Sequence, residues 1–250
     1  MSPRWPGDTG SIPMTSSQAW QYDEMRHVGT DYNSEAEVED YDRRMATIRD
    51  IPAEIDEIIT ALDLPEEASL LEFGSGTGEF ICAAAERCGR VYAVDISPVM
   101  LAYAEKKARS RGLTGIRFVN AGFLNYRHDG GPLDAIVTQL ALHHLPDFWK
   151  QVALVKMCAL LKPGGKLYLR DVVFSLKLEK YEATVNHVIE DFRKASGDNM
   201  ADKFANHVRS EYSTFDWTME EMLYRAGFDI DRADYGDNFM AVYLCGKARR

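Results

Sequence analysis

Leu70-Leu71-Glu72-Phe73-Gly74-Ser75-Gly76-Thr77-Gly78-Glu79 decides the fold. Four residues with a strand's character, Leu70 to Phe73, run into glycines at alternate positions, and a helical pattern starts at once from Phe80. Alternate glycines permit a tight turn and let backbone N–H groups approach a ligand closely. A G-x-G alone is weak evidence. Here it follows a strand, opens a helix, and is followed about 20 residues later by Asp95 at the end of the next strand, Val91 to Val94, which is the arrangement that binds a nucleotide ribose.

Outward from the loop the pattern repeats. Phe80 to Cys88 reads as a helix ended by Gly89, Pro98 to Arg111 as a helix ended by Gly112, Ile116 to Val119 and Leu133 to Thr138 as strands. Pro146 to Leu161 is helical, Pro163-Gly164-Gly165 stops it, and Lys166 to Phe174 returns as a strand. Such alternation predicts a Rossmann-like, doubly wound α/β fold with helices on both faces of a mostly parallel sheet. Trp217 to Ala226 reads as a helix with a capping box from Thr218 to Glu221 and a stop at Gly227. Only Gly236-Asp237-Asn238 joins the last two strands, Phe228 to Tyr235 and Phe239 to Cys245, whereas a parallel pair needs a crossover of about a dozen residues. The last strand is therefore expected to run antiparallel.

Three further segments complete the organisation. Residues 1–20, rich in Ser, Pro, Gly and Thr, read as a flexible tail without a targeting signal. Residues 21–67 form an N-terminal helical segment: Ser34 precedes Glu35 and Glu37 as a helix start, Val38, Tyr41, Met45 and Ile48 recur at helical spacing, and Pro52 breaks the run before Ala53 to Leu62. This segment suits a substrate-covering lid and, equally, helices packed on a sheet edge. Within the 68–250 domain, residues 175–212 interrupt the alternation as a helical insertion whose apolar face is Tyr181, Val185, Val188, Ile189 and Phe192.

Composition narrows the function classes. The 250 residues suit one α/β domain, and no apolar run approaches the ~20 residues of a membrane span. A formal net charge of -10 opposes a phosphate backbone unless basic residues cluster. Arg43, Arg44, Lys106, Lys107, Arg109 and Arg111 are the available cluster, with a solvated helix face as the alternative. Cys82, Cys88, Cys158 and Cys245 make no CxxC pair, so neither a zinc site nor a disulfide framework is suggested, and a cytoplasmic location fits.

Three blocks then give the chain a family resemblance: Leu71 to Gly78; Ala93-Val94-Asp95-Ile96-Ser97-Pro98-Val99-Met100-Leu101; and Ala141-Leu142-His143-His144-Leu145-Pro146-Asp147 with Leu161-Lys162-Pro163-Gly164-Gly165-Lys166. In order and spacing they resemble the class I S-adenosylmethionine-dependent methyltransferases, particularly the small-molecule branch that includes the ubiquinone and menaquinone biosynthesis enzymes. The rival, a nicotinamide dehydrogenase, would place its third glycine at position 79, where this chain has Glu79. The resemblance implies a seven-stranded sheet with its last strand reversed.

It also implies S-adenosylmethionine as cofactor. Gly74, Ser75, Gly76 and Gly78 would line its methionine part, Asp95 would accept from both ribose hydroxyls, and Ile96 and Met100 would border the adenine. Glu72 would orient the loop near the cofactor ammonium; its alternative is a buried carboxylate capping backbone N–H groups. Gln139 and Leu140 follow the fourth strand at the edge where open α/β sheets bind ligands. One departure stands out: Gly122 occupies the position where the family often has an acidic residue against the adenine amino group, leaving Phe123 to pack on the ring.

For catalysis the candidates are His144, His143 and Asp171, each a general base or a structural residue. Tyr22, His27, Tyr32, Tyr41, Tyr181, His207, Arg209, Tyr212, Trp217 and Phe239 are candidates for the acceptor pocket or for packing. His187 and Asp191 share a helix face without a third ligand, so no metal site is expected. The expected function is methyl transfer to an oxygen, nitrogen, carbon or sulfur of a small-molecule acceptor, with S-adenosylhomocysteine released, and without nucleic-acid or membrane partners. A non-catalytic cofactor-binding protein and a tRNA or protein methyltransferase are the alternatives.

Overall fold

The computed structural model describes residues 20–26, 34–47 and 49–249; the expected tail before Trp20, and His27, Tyr32 and Ile48, lie outside them. Helices α1 (Glu35–Met45) and α2 (Ile51–Leu62) precede β1 (Ser69–Phe73), α3 (Glu79–Ala85), β2 (Arg90–Asp95), α4 (Pro98–Ser110) and β3 (Ile116–Asn120). Then come β4 (Leu133–Gln139), a 3₁₀ turn (Leu142–His144), α5 (Asp147–Leu160) and β5 (Leu161–Phe174). A second 3₁₀ turn (Leu178–Lys180) leads into α6 (Tyr181–Ser196), α7 (Asp198–Ser210), β6 (Thr214–Phe215), α8 (Asp216–Ala226), β7 (Phe228–Gly236) and β8 (Met240–Lys247).

The sheet runs β3-β2-β1-β4-β5-β8-β7, with β8 antiparallel to both neighbours, as the short connection between the last two strands requires. The two-residue β6 pairs with Val173 and Phe174 of β5 and adds an eighth strand to the seven expected. Because β1 pairs with β2 on one side and β4 on the other, the chain winds away from β1 in both directions. Beyond the carboxyl end of β1 lies the crevice such a reversal always leaves.

Period-two alternation divides β1 between two cores. Leu71 and Phe73 join the layer closed by α5 and α8, with Leu154, Met157, Met219 and Leu223. Leu70 faces the other layer, with Ile58, Leu62, Phe80 and Ile81. Glu72, alternating to that same face, is carried beneath the glycine loop. Ile58 and Leu62 are fully buried, each holding α2 in place by ~1.5–3 kcal/mol. Helix α2 therefore belongs to the scaffold, and Pro52, expected to break a helix, opens this one, where its fixed φ suits the first turn. The α6–α7 insertion packs Phe192 and Phe204 against Phe239, while Tyr181 lies exposed outside that face.

Two local expectations are corrected. Helix α3 ends at Ala85 instead of running to Cys88, the chain tightening into a turn in which Arg87 N and Cys88 N both donate to Ala84 O. No capping box forms from Thr218 to Glu221. Pairing of β6 carries extended backbone to Phe215, so α8 starts at Asp216 and Thr218 falls inside its first turn.

The first bend is sterically exacting. Gly74 has φ +71°, and an added Cβ would stand 2.4 Å from Ala141 Cβ, whereas Gly76, at φ +51°, has nothing within 4 Å. Gly76→Ala is expected to cost about 1–2 kcal/mol for the left-handed backbone alone. Gly74→Ala should cost ~1–3 kcal/mol more through overpacking. Urea midpoints compare the two variants, and equal midpoints would show that the Ala141 contact yields freely.

Candidate active site

The bend is pinned to the end of β2. Val94 O accepts from Gly74 N (2.8 Å) and Ser75 N (3.1 Å), and Asp95 Oδ2 accepts from Gly76 N at 2.8 Å. Asp95 Oδ1 takes the amide of Ser97, also at 2.8 Å. A carboxylate offers roughly four acceptor positions, so these loop contacts do not exhaust Asp95. Gly78 faces α4 instead of a cavity, with Ala104 Cβ 2.8 Å from where its own Cβ would be. Its role in this structure is close helix packing.

Two hollows meet at Gly74, Gly76, Tyr41 and Gln139, which line both. The more polar of the two, a cavity of about 450 Å³, is bordered by Glu72, Ser75, Thr77, Arg49 and Glu54 together with apolar residues of α1 and α2. In it Glu72 Oε1 accepts from Gln139 Nε2 at 3.1 Å, while Oε2 is buried without a hydrogen-bond partner. Burial, outweighing the Gln139 contact, pushes the Glu72 carboxyl well above the usual range. A buried polar atom left unpaired costs ~1–3 kcal/mol, so this oxygen can take a donor from a ligand. Across the hollow, Glu54 bridges Arg49 (Nε–Oε2 2.9 Å) and Arg170 (Nη1–Oε1 2.7 Å). This site therefore offers a carboxyl with one oxygen unpaired beside Arg49, which shares Glu54 with Arg170.

The other hollow is largely apolar, lined by Phe73, Ile96, Met100, Ala121, Phe123, Leu140 and Leu145, with Asp95, His144, Glu24 and Arg26 as its polar groups. Phe123 stacks on Phe73 at 4.9 Å between ring centroids. Gly122 lacks a side chain because Glu24 fills the space: a Cβ there would meet the Glu24 carboxylate at 2.4 Å. That carboxylate accepts from Leu124 N and Asn125 N, both at 2.8 Å. Burial, opposed by these amides, raises its pKa. Glu24 was not a sequence candidate; the only local hint was the missing acid at Gly122, and the residue that answers it lies about a hundred positions earlier.

The 3₁₀ turn after β4 separates the two histidines. His144 borders the apolar hollow, and Tyr22 donates to its carbonyl at 3.2 Å. Burial, helped by the charge of His143, drives its pKa down to about 3, and its ring is neutral. His143 points the other way, its Nδ1 hydrogen-bonded to Asp171 and its Nε2 3.2 Å from Glu211. Burial opposes its charge, but the two carboxylates prevail and raise its pKa to about 9. Asp171 lies behind His143, so its contact with the hollow is indirect.

The remaining candidates separate cleanly. Tyr41 lines both hollows, and Tyr22 and Tyr212 pack edge to face at 6.4 Å beside Trp149. His207 is joined to Glu211, Arg209 bonds Asn206, and Trp217 is exposed. His187 pairs at the surface with Asp191. Four of the basic residues near α4 are matched by acids, Lys107 with Asp42 and Glu79, Arg111 with Glu79, Arg109 with Glu105, and Arg43 with Asp40, while Lys106 is exposed. Among the described residues, no helix is long and apolar enough to cross a membrane.

With this geometry in view, comparison with known proteins identifies the scaffold. The methyltransferase domain family matches residues 70–165. An uncharacterized methyltransferase of Geobacillus kaustophilus is 31% identical over 196 residues, covering 78% of this chain and 84% of the relative. Two solved structures share the fold at lower identity. A magnesium protoporphyrin IX methyltransferase from Synechocystis with bound SAH has a TM-score of 0.62 at 17% identity, covering 87% of this chain and 96% of its own. A SAM-dependent methyltransferase from Aquifex aeolicus has a TM-score of 0.61 at 16% identity, covering 86% and 99%. With the glycine bend, the acid closing β2 and the reversed last strand all in register, the chain belongs to the class I, S-adenosylmethionine-dependent methyltransferases.

Proposed function

We propose that this methyltransferase acts on a small molecule seated in the apolar hollow beside His144, and that the donor lies across both hollows. The observation that carries the donor placement is Glu72 Oε2, a buried acceptor with no partner, under a loop whose glycines leave room for a ligand. A zwitterionic amino acid complements that wall, its ammonium toward Glu72 and its carboxylate toward Arg49. Asp95 then faces the ribose, and Ile96, Met100 and Phe123 form an apolar slot for the purine. Glu24, at the edge of that slot, is the acceptor for the purine's amino group and takes the place of an acid at 122. A small acceptor is favoured because Tyr22, packed on Trp149 and Tyr212, donates to the carbonyl of His144 and sits beside its turn, and because Lys107 is already held by Asp42 and Glu79.

Bound S-adenosylmethionine supplies an electrophilic methyl group on a sulfonium. The chain's task is to bring a nucleophile into line with it and keep it there. Burial lowers the His144 pKa and so makes it a weak proton acceptor. Alignment can remove ~7–11 kcal/mol from a barrier. A well-matched base contributes only ~10²–10⁴-fold. Positioning therefore dominates here, with His143 and Asp171 holding the turn that presents His144.

The acceptor is found by incubating the protein with methyl-labelled donor and a metabolite extract and identifying the labelled small molecule; label appearing only in RNA or protein would overturn the reading. Asp95→Ala should weaken donor binding at least ~tenfold by titration calorimetry, given ~1.5–3 kcal/mol per charged hydrogen bond. Glu24→Ala should erase the preference for S-adenosylmethionine over its 6-oxo inosine analogue, and a preference equal to the wild type's would remove Glu24 from the purine site. With the identified acceptor, His144→Ala should lower kcat without abolishing turnover, and complete loss with normal donor binding would make it an obligatory base.

A further inference from the structure

Behind the turn that carries His144, three side chains remote in sequence converge. His143 follows β4, His207 lies on the last turn of α7, and Glu211 comes immediately after that helix. His143 Nε2 is 3.2 Å and His207 Nδ1 is 2.6 Å from the same oxygen, Glu211 Oε2. Potential ligand atoms of all three lie within 4.8 Å of one another. Each imidazole is backed on its far nitrogen: His143 Nδ1 by Asp171, and His207 Nε2 by Ser213 Oγ at 2.6 Å. The rings meet edge to face, 66° apart, so their inner nitrogens address one point instead of stacking past each other.

We propose that His143, His207 and Glu211 bind one divalent cation of the zinc class, with Asp171 and Ser213 orienting the two imidazoles. Two histidines and a carboxylate are a ligand set that zinc accepts. A ligating histidine whose other nitrogen is held by a carboxylate is the usual support for such an ion. The ligand atoms, all within 4.8 Å of one another, need only modest shifts to close on one ion. Tetrahedral coordination with bonds of 2.0–2.1 Å sets ligand atoms about 3.3 Å apart. The His143–Glu211 pair already has that spacing, and the His207–Glu211 pair must open by about 0.7 Å. Two neutral imidazoles with the carboxylates of Glu211 and Asp171 balance a doubly charged ion.

Spacing along the chain could not disclose this group, because His143 and His207 stand on different elements and meet only when the insertion folds back. The ion would fasten that insertion to the turn beside the methyl-transfer hollow. His144 Nδ1 is 4.0 Å from Glu211, close enough for the site to influence how His144 is presented. This site is independent of where the methyl donor binds.

The test uses the full chain, purified without metal-affinity media, dialysed against chelator, and titrated with cobalt(II) and then zinc. The expected result is one cobalt per chain with the visible absorption of tetrahedral coordination, displaced by one equivalent of zinc. Glu211→Gln and His207→Gln should each weaken uptake at least ~hundredfold, and Ser213→Ala roughly tenfold, the scale for losing an orienting partner. His187→Gln, on the exposed face of α6, serves as the control with unchanged uptake. Thermal melts establish that the variants fold; if either ligand variant does not, Ser213→Ala carries the comparison. Absence of stoichiometric cobalt in the folded wild type would overturn the proposal. So would uptake that survives unchanged in the folded ligand variants, leaving a metal-free ion-pair network.

Discussion

Everything at the crevice depends on how the end of β2 grips the bend after β1. One carbonyl, Val94 O, receives two successive amides, and one carboxylate, Asp95, receives a third from Gly76. Three bonds over three residues hold a stretch of left-handed backbone that would otherwise be free to relax. The same grip brings the second strand's acid and the first strand's carboxyl, Glu72, to opposite sides of the loop. The polar and apolar hollows thus share a single wall of backbone, and a ligand with both a charged and an aromatic end can contact both.

The distribution of charge follows from that geometry. Glu72 keeps one oxygen unpaired under the loop, whereas Glu54 holds two guanidiniums and Glu211 draws two imidazoles. Where carboxylates have cationic partners they lock elements together: α2 to β5 through Arg170, and the insertion to the turn through His143. Where one lacks a partner, a ligand group has a reason to enter. In a protein of net charge -10, paired cations also deny a phosphate backbone the uninterrupted basic stripe it would follow.

What could be read from the sequence was whatever is encoded locally. The strand, glycine bend and helix from Leu70 to Phe80 are contiguous, and Asp95 lies one element further on, so their relation survives without knowledge of the fold. The reversed last strand followed from the length of one connection. The end of α3 is set by a local turn in which two amides share Ala84 O, which glycine spacing does not reveal, and the capping box at Thr218 does not form because pairing with β5 keeps the preceding residues extended. Glu24 and the His143–His207–Glu211 group were invisible for a stronger reason: each joins segments roughly sixty to a hundred residues apart, where no spacing rule applies. Gly122 could be recognised as unusual, but nothing in its neighbourhood named the residue that would compensate.

The packing of Glu24 against Gly122 makes those two positions a coupled unit. Any side chain at 122 would collide with the carboxylate of Glu24 where it now lies. Related chains that keep the same pocket should therefore exchange the two positions together, carrying the carboxylate either on the strand end or on the leading segment. Here Glu24, from the segment ahead of α1, closes one side of a hollow whose other walls include Tyr41 of α1, Met100 of α4 and the loops that follow β1, β2 and β4.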